Sequence, residues 1–176
     1  PSVEEAPRPW IVMNPCTTNM AKAWPVEHYQ ALLKLLIKEV GGSYFAFGVE
    51  ADKPLIESVF KQLPADTAKF NLAGTTTLPE TLSWMTHMSI LIGGDSGLAH
   101  IAALAKRPQV VLFGPTDPQQ WAPLSSKATV LTSTEPLECR PCRLKTSCED
   151  TYPCLTQITP EQVLEAVIKH LKSISY

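Results

Sequence analysis

Asp95, Ser96, Gly97, Leu98, Ala99 and His100 follow an apolar run, residues 88–92, through two glycines and open a small-residue helix over 98–105. A buried strand that passes through glycine into a helix leaves unpaired backbone N–H groups and a positive helix end facing one spot. Such a spot seats a phosphate or another anion. The amides of Ser96, Gly97 and Leu98 are its donors. Asp95 either caps the helix or, because phosphate repels it, meets sugar hydroxyls or a bridging cation. His100 is expected as a hydrogen-bonding group rather than a general acid, or as a packed side chain.

Two further loops carry groups suited to the same ligand. Loop 14–22 offers Thr17, Thr18 and Lys22: two hydroxyls to donate to phosphate oxygens and one ammonium to neutralise a diphosphate. The plain alternative is a solvated lysine among turn-forming threonines, since the glycine-rich dinucleotide fingerprint is absent. Glu50 stands just past a strand end, where a carboxylate can accept from ribose hydroxyls; otherwise it is an exposed loop acid. A second apolar run, 109–113, ends in Gly114, Pro115, Thr116, Asp117 and Pro118, another loop at the carboxyl end of a strand. Ligands of open α/β sheets sit at that edge.

A separate cluster joins Cys139, Cys142, Cys148 and Cys154, with gaps of two, five and five residues. Four thiolates this close can surround a structural zinc and order a loop that has no other core. Disulfide pairing and reduced thiols are the alternatives. Four ligands leave no open position, so such a zinc is expected to be structural, and no cofactor is expected for the chemistry. Cys16 reads as an ordinary loop thiol.

The elements that must position these groups follow from periodicity. Strands are predicted at 10–13, 44–47, 68–72, 88–92, 109–113 and 128–131. Helices are predicted at 25–40, 53–62, 77–86 and 98–105, with a closing helix from Pro160 that buries Val163, Leu164, Val167, Ile168 and Leu171. This alternation predicts an α/β fold: a Rossmann-like, doubly wound, mainly parallel sheet with helices on both faces. Only the cysteine-rich loop, 139–156, departs from the rhythm. A length of 176 residues suits one domain, expected over 10–176. Residues 1–9, with three prolines and two acids, read as an interdomain linker remnant of a longer protein. The net charge of -2 and pI near 6.1 speak against a nucleic-acid partner. No run approaches the roughly 18 apolar residues of a membrane span, and no secretory leader is visible, so a cytoplasmic setting is expected.

Taken in order, these pieces resemble the ADP-heptose:lipopolysaccharide heptosyltransferase family. The resemblance rests on Asn14-Pro15, Thr17-Thr18, Lys22-Ala23-Trp24-Pro25 and Gly48-Val49-Glu50, then on Thr77-Leu78 and Gly94-Asp95-Ser96-Gly97-Leu98-Ala99-His100. Phe113 to Pro118, the cysteine loop ending at Cys154-Leu155, and Ile158-Thr159-Pro160-Glu161 complete it. It implies one half of a GT-B type glycosyltransferase, the carboxyl-terminal, nucleotide-sugar-binding half. On that analogy Thr17, Thr18 and Lys22 grip the diphosphate of ADP-heptose, Glu50 binds ribose, and Thr76 lies near the adenine. Asp95 meets the heptose, the amides of Ser96, Gly97 and Leu98 the phosphates, and His100 stands nearby. Lys22 is the residue expected to assist catalysis by stabilising the departing diphosphate. The acceptor is then a lipopolysaccharide core, at the inner membrane face, and the general base belongs to an amino-terminal half, so this chain binds donor without transferring sugar. A different nucleotide sugar, or a non-catalytic binding module, is the rival. Many members carry glycine where this chain has Cys16, whose side chain is expected to crowd the phosphate approach.

Overall fold

The computed structural model describes residues 2–140, 142, 148 and 151–173. Its strands are β1 (Trp10–Asn14), β2 (Ser43–Ala46), β3 (Lys69–Asn71), β4 (Ile90–Gly94), β5 (Gln109–Leu112) and β6 (Ala128–Leu131). They form one all-parallel sheet in the order β3-β2-β1-β4-β5-β6. The chain winds outward from β1 to β3, then crosses back to β4 and winds the other way. The crevice between β1 and β4 is the switch point of such a sheet.

Alternation along each strand explains the two cores. Ile11, Met13, Tyr44, Ala46, Ile90, Ile92, Val110 and Leu112 face one side, against α1 (Val26–Glu39), α2 (Lys53–Phe60) and α7 (Pro160–Lys172). Trp10, Val12, Phe45, Leu91 and Val111 face the other, against α3 (Leu78–Met85) and α4 (Gly97–Leu104). Both faces being covered, the central strands are buried throughout and read as continuous apolar runs. Two single turns, α5 (Pro118–Trp121) and α6 (Pro153–Thr156), were not expected from periodicity because one turn has none to display.

The helix starts follow their caps. Glu80 Oε2 accepts from the Thr77 N–H and hydroxyl, both at 2.7 Å, which holds its carboxyl below the usual range. Thr159 and Gln162 bond reciprocally, N–H to Oε1 at 2.8 Å and N–H to Oγ1 at 3.3 Å. β4 sits two residues later than its hydrophobic run suggests. Gly93 and Gly94 stay in the ladder, paired with Asn14 and Leu112. A Cβ on Gly93 would stand 2.8 Å from Asn14 Cβ, so the close approach of β1 and β4 requires glycine there.

The first residues lie along the domain. Val3–Glu5 form a 3-10 turn, Ala6 is buried, and its carbonyl accepts from Trp10 Nε1 at 2.9 Å. Arg8 lays its guanidinium over the Trp10 ring. No helix among the described residues is long and apolar enough to cross a membrane.

Candidate functional site

Three loops at the carboxyl edge converge on the switch point. The first leaves β1 at Asn14, which is 4% exposed and fixed on both sides. Its carbonyl accepts from Tyr29 OH at 2.8 Å, and its Nδ2 donates to Ser96 Oγ at 2.8 Å. Beyond it, Thr17 Oγ1 and Asn19 close a small turn. Asn19 Oδ1 then accepts from the Ala21 N–H at 3.0 Å and starts the 3-10 turn Met20–Lys22. That turn delivers Lys22 Nζ to 2.7 Å from Asp95 Oδ2.

The second loop is the entry to α4. Ser96, not Asp95, occupies the cap position, which corrects the capping alternative for Asp95. The Ser96 hydroxyl accepts from Asn14 and makes no cap bond, so the first N–H groups of α4 are left to the groove. Asp95 is held on a single oxygen: Oδ2 takes both Lys22 Nζ and, at 2.9 Å, the hydroxyl of Thr116 from the loop after β5. The side chain of Asp95 is 9% exposed and that of Lys22 25%.

The third loop follows β2. Asp52, not Glu50, is its carboxylate in the groove. Asp52 Oδ2 accepts from the Val49 N–H at 2.9 Å, and Asp52 lies beside Cys16 in the wall of the groove. Burial first, and then Asp52, push the Cys16 thiol up from 9.0 to about 12.

Two adjoining hollows of about 450 and 420 Å³ result. Thr17, Thr18, Lys22, Asp95, Ser96 and Gly97 line the first. Thr76, Leu98, Ser96 and Gly97 line the second, together with Leu78 and Ile101. Cys16, Val49 and Asp52 form their shared wall. One end therefore holds the N–H donors and the Lys22 ammonium, paired there with Asp95 and close to Asp52, and the other is mainly apolar with threonine hydroxyls.

Eight of the ten groove residues expected from sequence line these hollows, and two do not. Glu50 is an exposed rim residue paired with Lys53 Nζ at 2.8 Å and packed against Gly74. His100 is exposed on α4 and lines neither hollow. Asn14, Asp52 and Thr116 complete the site without having been singled out for it, and Cys16, expected to crowd the phosphate approach, forms part of its wall. Thr116 was signalled by its place after a strand; Asp52 carried no signal beyond lying two residues past Glu50.

The cysteine cluster stands apart. Cys139 and Cys148 are half-buried, Cys154 is buried on α6, and Cys142 donates its N–H to the Pro115 carbonyl at 3.2 Å. Burial raises the Cys154 pKa, the Arg140 charge lowers it, and Cys142, Cys148 and Cys139 raise it through space. Among the described residues, no three His, Cys, Asp or Glu side chains form a group able to hold a metal ion. The parts of the 139–156 loop at 141, 143–147 and 149–150 lie outside the described residues.

Fold and groove together define the class: a Rossmann-like half with a polar groove at its switch point. The chain belongs to glycosyltransferase family 9, the heptosyltransferases, whose family pattern matches residues 2–153. It is 40% identical over 150 residues to lipooligosaccharide heptosyltransferase 2 of Haemophilus influenzae, covering 82% of this chain and 42% of that protein. It is 35% identical over 147 residues to lipopolysaccharide heptosyltransferase 2 of Escherichia coli K12, covering 82% of this chain and 41% of that protein. The chain thus spans under half the length of these relatives. The solved E. coli ADP-heptose lps heptosyltransferase II superposes with a TM-score of 0.80 at 32% identity, covering 94% of this chain and 47% of that one. E. coli heptosyltransferase WaaC with ADP shares the fold, with a TM-score of 0.73 at 20% identity over 92% of this chain and 44% of that one.

Proposed function

We propose that this chain is the donor-binding part of a heptosyltransferase that moves heptose from ADP-heptose to a lipopolysaccharide core acceptor. The observation that carries this is the shared lining of one hollow by Lys22 and the amino end of α4. A cation and oriented N–H dipoles facing one space stabilise an anion. The nucleoside is taken by the more apolar hollow, where Thr76 and Leu98 lie.

In the transfer, the bond from the anomeric carbon to the β-phosphate oxygen breaks and the diphosphate departs with its electron pair. Lys22 and the α4 amides stabilise that growing charge. The acceptor hydroxyl forms the new bond to the anomeric carbon and gives its proton to a general base. On this account the base is supplied by an amino-terminal half outside this chain. The chain alone binds donor and does not transfer heptose. The setting is cytoplasmic, with the acceptor met at the inner membrane face. A structural metal such as zinc on Cys139, Cys142, Cys148 and Cys154 is proposed from their spacing in the sequence alone, since among the described residues these side chains do not form a metal-holding group. Metal analysis of protein purified without added zinc checks this: one equivalent supports it, and none with four titratable thiols removes it.

Calorimetric titration with ADP-heptose and with ADP tests the main proposal. Saturable binding of both is expected, without release of heptose. No binding by a protein with an intact circular dichroism spectrum would favour a non-catalytic module.

A further inference from the structure

Lys22 is not idle in the groove. Its ammonium is spent on Asp95 at 2.7 Å, so the cation meant for a diphosphate is already neutralised by a carboxylate in the same hollow. An incoming anion has to draw that ammonium away, which leaves the little-exposed Asp95 charge needing another donor. One is present. The Thr116 hydroxyl stands 2.9 Å from the same oxygen, Oδ2, that Lys22 holds.

Thr116 is itself firmly placed. Its neighbour Pro115 accepts from the Cys142 N–H at 3.2 Å. Gly114 lies so close to Leu155 that a Cβ there would meet Leu155 Cγ at 2.6 Å. The cysteine-rich segment thus buttresses the loop after β5, and that loop presents one hydroxyl to Asp95.

We propose that Thr116 is a positioning residue: by keeping a hydrogen bond to Asp95 Oδ2 it frees Lys22 to engage the diphosphate of the donor. This rests on the donor-binding account above. A carboxylate has about four lone-pair sites on its two oxygens, so Thr116 leaves Oδ1 open to a donor hydroxyl. Without Thr116, Asp95 holds Lys22 more tightly and the diphosphate competes less well.

The test is a double-mutant cycle read by ADP titration on this chain, with AMP as a control ligand that lacks the β-phosphate. Thr116→Val, which keeps the shape and removes the hydroxyl, is expected to weaken ADP binding about ten- to a hundredfold, in line with one lost hydrogen bond to a charged group. AMP binding is expected to change less than twofold. Thr116→Ser is expected to restore ADP binding to within twofold of the parent. In an Asp95→Asn background, Thr116→Val is expected to cost less than twofold, because the competing charge is gone. An unchanged ADP affinity in Thr116→Val, or an equal loss in both backgrounds, overturns the proposal and leaves donor binding standing. Failure of the parent chain to bind ADP overturns the donor-binding account and this proposal with it.

Discussion

Lys22→Ala separates two effects that the groove superimposes. The ammonium supplies one charge-assisted contact to the diphosphate, worth about 1.5–3 kcal/mol. It also screens Asp95, whose carboxylate lies 2.7 Å away and lines the same hollow. Removing Lys22 sets that charge against the diphosphate. At about 5 Å and an effective dielectric of about 20–40, the repulsion is about 1.5–3 kcal/mol. Together these give a loss of about 3–6 kcal/mol, or at least about a hundredfold in Kd. Lys22→Ala combined with Asp95→Asn removes the repulsion and keeps only the first loss, so the double variant binds ADP more tightly than the single one. Calorimetry at fixed salt measures all three proteins, with circular dichroism to confirm folding. A loss below threefold in Lys22→Ala, or a double variant as weak as the single, refutes the reasoning.

Other outcomes follow from the same structure. Gly93→Ala drives a Cβ to 2.8 Å from Asn14 Cβ; it is expected to lower stability by about 1–3 kcal/mol and, by displacing Asn14 from Ser96, to weaken ADP binding too. Thermal melts and titrations should fall together. Gln109 is fully buried at the start of β5, and neither its Nε2 nor its Oε1 has a partner; Gln109→Met is expected to stabilise by about 1–3 kcal/mol, read as a higher urea midpoint. Cys16, pushed up to about 12, keeps its proton in the folded state between about pH 9 and 12, where the unfolded thiol ionises. The folded state therefore binds more protons in that window, and stability falls as pH rises. Buried Tyr29 and Tyr44, also raised, add to that fall from about pH 10. Cys16→Ser should flatten the decline between pH 9 and 10, measured by urea unfolding, and native Cys16 should resist iodoacetamide at pH 8.5.

The frame was legible because its signals are local and repeated. Six strand-length runs, the first four each followed by a helical stripe, point to a parallel sheet. The capping pairs Thr77 with Glu80 and Thr159 with Gln162 mark helix starts within a residue. The open start of α4 beside the β1–β4 crevice was legible for a similar reason, since Gly93 and Gly94 lead the strand straight toward that helix. What failed was the direction of side chains within loops. Glu50 and Asp52 lie two residues apart on one 3-10 turn, and only the turn's winding decides which carboxylate enters the groove. Cys16 read as a loop thiol that crowds the phosphate approach, but its place beside Asp52 was not legible, because that residue belongs to a different loop. Thr116 reaches Asp95 across a gap of 21 residues, and no local pattern announces such a bond. His100 follows the seat in sequence, yet α4 carries it out of the hollow.

On the donor-binding proposal, Lys22 and the amino end of α4 grip a pyrophosphate. Comparing ADP with AMP on the unmodified chain, by calorimetry at low salt, isolates the β-phosphate that both would hold. ADP binding at least tenfold tighter than AMP, with the advantage shrinking as salt rises, is the expected result. Equal affinities for ADP and AMP would contradict it.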